Sequence, residues 1–461
     1  MNIVIWILIG TYFLLALILR IPGNPHKNII LENTLPKDKL DEPKVTALRK
    51  AYKNNLLKIA GALSVLTLPL LFVSYDSIVM ASFSLLLVVS IGALYGCEIF
   101  YIHKMRQLLI EQDWLLQVAP VLVDTKLTVE KNKKLVPVAW LIGSLLIAGA
   151  VLAFSFFQFG SSTISWTLLG TFVLLWGVFA AGYYATTRIP VRALTDDQET
   201  NRQYNNLTKH AWSFMMVMLS YLFIPTLLIP FVTLVKSAWL SSVLMVGFLL
   251  LLLAGSLFTF YLTFRLRKKQ DVLLEETTSY RYNGEDQYWK YGMYINPDDS
   301  RLMVPDRLGM NLSINLGKRS GKIISVITLV SVLVILIGTT FPLFLFDFGE
   351  NQLHYTLTDD QVTLNAPLTK ASSIPFVEME SVELLEDLPN TRIRINGMAT
   401  DDYLTGIFKV ENKRAVLYVD RSSKPILKIT TQDEDYYYTN KDEAETQQLY
   451  QALQNDLGKS H

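Results

Sequence analysis

The chain has 461 residues, with 42 Lys and Arg against 41 Asp and Glu, and a formal net charge of +1. Hydrophobic residues make up 51% of it and charged residues 18%, whereas soluble domains carry about 25% charged residues. This composition argues against an intrinsically disordered chain and against a wholly soluble one, and the balanced charge argues against a nucleic-acid-binding protein. It indicates an integral membrane protein with a smaller polar part.

Eight stretches of the chain are apolar and long enough to cross a bilayer as a helix, which takes about 20 residues. In chain order they are residues 2–19, 59–75, 78–99, 135–157, 163–184, 212–234, 238–263 and 323–345. The second and third are separated only by a turn near Asp76 and predict a helical hairpin. The first has no basic residues before it and Arg20 after it, so it predicts a retained helix rather than a signal peptide.

Lys and Arg accumulate in alternate loops between these stretches. Residues 20–58, 104–134, 188–209 and 265–322 contain nine, six, four and eleven of them, whereas the other loops contain only Lys236. Basic loops remain in the cytoplasm. We therefore expect a multi-pass protein of the bacterial plasma membrane, with these four loops inside and both termini outside the cytoplasm.

The first basic loop contains a periodic segment at residues 43–57. Val45, Leu48, Tyr52 and Leu56 recur every three or four residues, with Lys and Arg between them. This pattern predicts an amphipathic helix lying on the anionic inner leaflet. A solvated connector is the alternative.

Polar groups within the predicted spans are few. Glu98 is expected to reach the interface, and Cys97, the one cysteine, excludes a disulfide and is expected to be a small buried hydrophobic residue. The fourth to eighth spans carry no charged residue, which argues against an ion-coupled transporter. Pro225 and Pro230 predict a kink in the sixth span.

The longest basic loop contains the candidate interaction motif, which consists of Trp289, Asn296, Pro297, Asp298, Asp299 and Arg301. Asn, Pro and Asp in succession favour a turn. The four aromatic residues between positions 288 and 294 could place this loop on the lipid headgroups. A metal site at the two Asp residues is disfavoured, because adjacent carboxylates rarely converge on one ion and the loop has no His. We expect a folded cytoplasmic lid that binds no metal and no cofactor.

Residues 347–461 contain 20 Asp and Glu against 11 Lys and Arg, and no apolar stretch that could span a membrane. Apolar and polar residues alternate here, which predicts strands. The predicted strands are 352–357, 361–366, 372–386 with a bulge near Pro375, 391–397, 403–410, 414–420, 425–431 and the short piece 435–440. A final helix opens at residues 441–443, with Thr439 or Asn440 as its cap.

About seven strands closed by one helix is the pleckstrin-homology arrangement, and this segment resembles the bacterial pleckstrin-homology-like domains at the ends of membrane proteins. The residues that carry the resemblance are Leu388, Pro389, Arg392-Ile393-Arg394-Ile395-Asn396-Gly397, Gly406-Ile407-Phe408, Thr446, Leu449 and Tyr450. Its excess of acid disfavours binding to anionic headgroups. We expect a protein-contact or spacer domain.

A second resemblance covers about 300 residues of the membrane part. It rests on Trp289, Gly292, Tyr294, Asn296-Pro297-Asp298-Asp299, Arg301, Val304-Pro305, Arg307, Gly309 and Asn315, and on Leu35-Pro36, Pro43, Leu48-Arg49-Lys50, Tyr52, Tyr101, His103, Trp114 and Val123-Asp124-Thr125. These residues resemble an uncharacterised family of bacterial polytopic membrane proteins. Some relatives carry a domain shared with immunity proteins against a spore-delay toxin, whose Pro-x-His-x-x-x-Gly sequence Pro25-His26 does not reproduce.

The sequence contains no phosphate-binding loop, no His-Glu-x-x-His and no Gly-x-Ser-x-Gly motif. It therefore predicts an all-α polytopic membrane bundle of about eight helices, residues 1–346, followed by a β-rich pleckstrin-homology-like barrel capped by one helix, residues 347–461. We expect a non-enzymatic scaffold, sensor or envelope-stress accessory in the lipid bilayer that contacts a protein partner through its C-terminal domain and binds no nucleic acid. The alternatives are a transporter or permease for an apolar or peptide substrate, using the kinked sixth span, and immunity to a secreted peptide toxin.

Overall fold

The computed structural model describes residues 2–118, 132–232, 238–275, 281–282, 284–307, 309, 312–349, 353–389, 392–400, 402–411 and 413–457. Within them the helices are α1 (Asn2–Leu19), α2 (Pro43–Thr67), α3 (Asp76–Glu111), α4 (Val138–Phe159), α5 (Thr163–Arg188), α6 (Gln198–Leu222), α7 (Ile229–Val232), α8 (Ala238–Glu275), α9 (Arg319–Phe348) and α10 (Glu443–Leu457). Eight helical segments of this part of the chain are long and apolar enough to cross a membrane. Each corresponds to one of the eight predicted stretches.

Two of the helices continue well beyond their apolar parts. Helix α3 reaches Glu111 and α8 reaches Glu275, about three turns past the last residue of the predicted spans. The added residues are mainly Leu, Lys, Arg, Gln and Glu, which are good helix formers, so polarity alone does not end the helix. Helix α3 instead ends close to Asp113, whose φ of 55° is incompatible with a right-handed helix.

The sixth span is interrupted, as the two proline residues predict. Helix α6 ends at Leu222, a 3₁₀ turn occupies Ile224–Leu228, and α7 follows at Ile229–Val232. Pro225 and Pro230 lack the backbone N–H that an α-helix needs, which explains the change of winding.

Residues 43–57 form the first half of α2, so the predicted helix is confirmed. Its apolar face, however, is covered by protein rather than free to meet lipid. Val45, Tyr52 and Leu56 are fully buried, and the Tyr52 hydroxyl donates a hydrogen bond to the carbonyl oxygen of Leu19. The interpretation of this segment as a helix lying on the membrane surface is therefore not supported by its packing.

The chain divides into two compact units. One comprises residues 1–18, 56–94 and 326–461, and the other residues 19–55 and 95–325. The second unit contains two short antiparallel hairpins, β1 (Ile29–Ile30) with β2 (Asn33–Thr34) and β3 (Met303–Pro305) with β4 (Leu312–Ile314). These hairpins lie in the basic loops at residues 20–58 and 265–322.

The C-terminal domain contains two β-sheets, one antiparallel and one mixed. The first has the order β5-β6-β7, formed by His354–Leu357, Gln361–Ala366 and Thr369–Pro375. The second has the order β8-β12-β13-β11-β10-β9, formed in chain order by Met379–Leu385, Arg392–Ala399, Tyr403–Val410, Lys413–Asp420, Ile426–Thr431 and Asp435–Tyr438. Strand β13 lies between β12 and β11 and is parallel to β11.

The predicted single strand at residues 372–386 is wrong. A 3₁₀ turn at Phe376–Glu378 divides it into β7 and β8, which belong to different sheets. Pro375 is the last residue of β7, where its missing N–H removes a ladder hydrogen bond. The described part of this domain thus has nine strands instead of about seven.

The predicted cap of the final helix is also wrong. The Asp442 carboxylate accepts a hydrogen bond from the Ala444 N–H at 3.0 Å and caps α10. Asn440 supports the cap by accepting from the Asp442 N–H, whereas the Thr439 hydroxyl is bonded to the Asp420 backbone. Helix α10 then buries Leu449 and Leu453 against the core of the domain.

Candidate functional site

The predicted loop motif lies in a small folded segment between α8 and α9 that has its own apolar cluster. Trp289 and Tyr294 are 2% exposed and pack with Val304, and the two ring centroids are 5.3 Å apart. Gly292, at a φ of 71°, turns the chain between the two rings, a conformation that glycine adopts without strain. These two aromatic side chains therefore lie inside the protein and are not available to headgroups, whereas Tyr291 of the same group is 38% exposed.

Asn296 and Asn315 join the two ends of this segment. The Asn296 N–H donates to Asn315 Oδ1 at 3.0 Å, and Asn315 Nδ2 donates to the Asn296 carbonyl oxygen at 2.8 Å. Asn296 Oδ1 also accepts from the Asp298 N–H at 3.0 Å, which is the side-chain turn that the sequence predicts. Gly317 passes so close that a Cβ atom there would lie 2.3 Å from the Asn296 carbonyl carbon.

Asp299 and Arg301 form a two-pronged ion pair. Arg301 Nε and Nη2 lie 2.9 and 2.5 Å from the Asp299 carboxylate, which also accepts from the Tyr294 hydroxyl at 2.9 Å. The hydrogen bonds from Arg301 lower the pKa of Asp299 to about 2. The Asp299 carboxylate is therefore ionised and bonded to Arg301. Separately, the described residues contain no group of three or more His, Cys, Asp or Glu that could hold a metal ion.

The six predicted motif residues do not form one binding surface. Trp289 and Asn296 are buried, and Asp299 and Arg301 satisfy each other. Only Pro297 and Asp298 are well exposed, at the tip of the turn. The motif is mainly the framework of a folded loop.

A buried ion pair that the sequence analysis missed lies beside this loop. Asp286 Oδ1 is 2.7 Å from Arg307 Nη1, and each side chain is 3% exposed. The same carboxylate accepts from the N–H and the hydroxyl of Thr34, at 2.9 and 2.8 Å, and lies 3.6 Å from Arg106. One carboxylate thus connects the β1–β2 hairpin, the end of α3 and the loop that precedes α9.

Glu32 lies next to this pair, in the turn of the β1–β2 hairpin. Its side chain is 4% exposed, its φ is 57°, and its Oε2 receives no hydrogen bond from any described residue. Burial raises the pKa of Glu32 to about 8, although the nearby Arg307 opposes the rise. Its carbonyl oxygen accepts from Arg307 at 2.6 Å, so the backbone here is fixed by the same guanidinium.

A second buried cluster surrounds His26, which is 1% exposed. Its Nδ1 lies 2.9 Å from the Asp271 carboxylate, which also accepts from the Lys27 N–H at 2.9 Å. Burial, assisted by the charge of Lys27, lowers the pKa of His26 to about 3. Nδ1 therefore carries the proton, as Asp271 requires a donor, and Nε2 is an acceptor without a partner in the described part of the chain.

Three polar side-chain atoms of this cluster surround the position of Gly309. A Cβ atom on Gly309 would lie 3.0 Å from His26 Nε2, 3.3 Å from Gln270 Oε1 and 3.5 Å from Lys27 Nζ. Gln270 is oriented by a hydrogen bond from its Nε2 to the Thr208 hydroxyl at 2.8 Å. Burial, more than the charge of a neighbouring Arg, lowers the pKa of Lys27 to about 7.

Sequence reasoning missed these two clusters because their members are distant in the chain. His26 and Asp271 are separated by 245 positions, and no periodic pattern connects them. The signal that was present is the concentration of polar residues between Asn24 and Thr34, directly after a span. Four residues of this segment, Lys27, Asn28, Leu31 and Glu32, adopt positive φ values, and propensity does not predict such a backbone.

Comparison with known proteins gives one match. Residues 353–453 match the family described as bacterial PH domain, which covers the two sheets and most of α10. No curated protein and no solved structure was found to match the chain. The chain therefore carries a PH-like domain at residues 353–453, and its described residues include eight helical segments that are long and apolar enough to span a membrane.

Proposed function

We propose that the chain is a non-enzymatic protein of the bacterial plasma membrane whose PH-like domain contacts a protein partner outside the cytoplasm. The observation that carries this proposal is the acidic edge of the six-stranded sheet. Among the described residues, strand β8 pairs with β12 alone, and its Glu380 and Glu383 are exposed. Glu378 precedes the strand, and Glu386 and Asp387 follow it, all exposed.

Part of this charge is already neutralised within the domain. Asp387 lies 2.7 Å from Lys424, and Glu383 is opposite Lys428 in the β8–β12 register. In the described residues no Lys or Arg forms an ion pair with Glu378, Glu380 or Glu386. An acidic edge resists addition of another strand and repels anionic headgroups, but it attracts a protein surface rich in Lys and Arg.

The test uses the full chain in its own membrane. A Glu378→Gln, Glu380→Gln, Glu386→Gln variant removes three exposed carboxylates of this edge, and a Glu411→Gln, Asp433→Asn, Glu443→Gln variant removes the same charge from other exposed positions. Proteins that co-purify after crosslinking in cells are quantified for both. Loss of a partner with the first variant only supports the proposal, and equal recovery with both contradicts it.

A transporter of an apolar or peptide substrate is a second candidate, favoured by the break in the sixth span. The 3₁₀ turn at Ile224–Leu228 frees backbone groups within the membrane-spanning segment, and broken helices in membrane proteins often line a substrate path. Flux of labelled peptides into proteoliposomes tests it. The candidate is rejected if the native chain shows no flux. It is also rejected if a Pro225→Ala, Pro230→Ala variant shows the same flux as the native chain.

Immunity to a secreted peptide toxin is a third candidate and rests on the sequence resemblance around Asn296-Pro297-Asp298-Asp299. The test is a deletion strain exposed to its own culture supernatant. Greater sensitivity than the parent strain supports immunity, and equal sensitivity removes this candidate.

A further inference from the structure

Helices α6 and α8 pack against each other along their length in opposite directions. Three contacts mark the seam between them, namely Leu222 with Gly255, Met215 with Thr263, and Thr208 with Gln270. The first depends on glycine, because a Cβ atom on Gly255 would lie 2.2 Å from the Leu222 side chain. The seam therefore fixes which faces of the two helices remain open on either side of it.

An apolar groove runs along one side of this seam. Its walls are Leu207, Ala211 and Phe214 on α6 and Phe258, Leu262 and Val272 on α8. It consists of two adjoining hollows of about 340 and 540 Å³ that share Leu207. From Phe258 to Val272 it is about 21 Å long, given the rise of an α-helix, and its deeper end lies within the apolar part of the span.

Three cations line the groove near Leu207: Arg265 and Lys269 border both hollows, and Lys268 borders the larger one. Arg265, Lys268 and Lys269 occupy positions i, i+3 and i+4 of α8, which place them on one face of the helix, and all three are exposed. They form no ion pair with any acidic residue in the described ranges of the chain. The inward face of the same turns carries Arg267, which is buried, and Asp271, which bonds to His26.

We propose that this groove binds an anionic phospholipid, with the phosphate at Arg265, Lys268 and Lys269 and an acyl chain along Leu207, Phe214 and Phe258. The cations begin where the apolar part of α8 ends, which is the level of the headgroups in a bilayer. Basic pockets between membrane helices are suited to anionic headgroups, whereas these three cations repel the ammonium group of a zwitterionic lipid. The occupant must be a lipid rather than a soluble phosphate, because the groove continues into the span.

The test measures lipid retained by the full chain in detergent by native mass spectrometry, with phosphatidylglycerol and phosphatidylcholine offered at equal concentration. We expect preferential retention of phosphatidylglycerol. In an Arg265→Gln, Lys268→Gln, Lys269→Gln variant, the affinity of the chain for phosphatidylglycerol should fall by about tenfold or more. The matched control Lys50→Gln, Lys58→Gln, Lys290→Gln removes the same charge from other exposed positions and keeps the affinity of the native chain.

A second variant tests the apolar part without a change of charge. Ala211→Phe fills the groove and is expected to lower retention of phosphatidylglycerol, while inorganic phosphate offered at the same concentration shows no competition in any variant. Equal retention of the two lipids, equal losses in the two triple variants, or displacement of the lipid by phosphate each overturns the proposal. If Ala211→Phe does not fold, the pair of triple variants still decides.

Discussion

The guanidinium of Arg307 lies 2.7 Å from the carboxylate of Asp286, in a site where each side chain is 3% exposed. The two residues come from one loop, but the carboxylate also holds Thr34, 252 positions earlier in the chain. Through this pair, the loop before α9 is hydrogen-bonded to the β1–β2 hairpin.

Removal of one partner should strongly destabilise the unit that contains the pair. An Arg307→Met variant leaves the Asp286 carboxylate buried without its main cation, which costs about 3–5 kcal/mol. The exposed pair of Glu199 and Arg202 provides the control, because Glu199→Gln breaks a solvent-exposed ion pair and should leave the melting temperature nearly unchanged. Thermal unfolding in detergent measures both effects. Equal melting temperatures for the two variants would contradict the claim that the Asp286–Arg307 pair stabilises the contact between loop and hairpin.

Glu32 should make the native state less stable as pH rises. Its pKa is raised from 4.5 to about 8 in the folded chain, so the native state holds a proton that the unfolded chain has released. Stability is therefore full below about pH 4.5 and declines through pH 8. Glu32→Gln, which is neutral at all pH values, should flatten this decline, and exposed Glu443→Gln should not. Parallel melting curves for Glu32→Gln and the native chain would show the expectation to be wrong.

His26 should produce the opposite dependence on pH. Its pKa falls from 6.5 to about 3 on folding, so only the unfolded chain takes up a proton between these values. Stability is thus fully present above about pH 6.5 and is lost as pH falls toward 3. In His26→Gln this loss should be smaller, as measured by melting temperature at pH 7 and pH 4. Exposed His103→Gln is the control, and it should behave as the native chain.

Gly317 should not tolerate a side chain. A Cβ atom there would lie 2.3 Å from the Asn296 carbonyl carbon, so Gly317→Ala must displace the Asn296–Asn315 connection. We expect a loss of several degrees in melting temperature. Gly247→Ala in α8 has open space around the new methyl group and should be neutral or slightly stabilising, by up to about 1 kcal/mol. Equal effects of the two substitutions would mean that the close approach does not matter.

The proposed orientation is tested by labelling with a membrane-impermeant maleimide in intact cells. In a Cys97→Ser chain, a cysteine at exposed Asp433 should react, whereas a cysteine at exposed Lys290 should react only after permeabilisation. The charge bias of the loops is the reason for this expectation. The reverse pattern of labelling would place the PH-like domain in the cytoplasm and remove the proposed role of its acidic edge.

The sequence was sufficient for the features that depend on local pattern. Apolar length predicted the eight spans, proline predicted the break after Leu222, and alternation predicted most strands of the PH-like domain. The sequence was not sufficient for features that depend on contacts between residues distant in the chain. Nothing local shows that Trp289 is buried, that Pro375 ends a strand and sends the chain to another sheet, or that Asp286 meets Thr34.

The order of the strands in the PH-like domain has a consequence for its biogenesis. Because Asp435–Tyr438 is inserted between β12 and β11, this strand alone joins the two halves of the large sheet in the described part of the domain. A nascent chain that ends before residue 435 would leave two separate ladders with four open borders, which favour aggregation. The large sheet can therefore close only after residues 435–438 have been synthesised, and a chain that stops before them would be degraded by proteases instead of folding into a smaller domain.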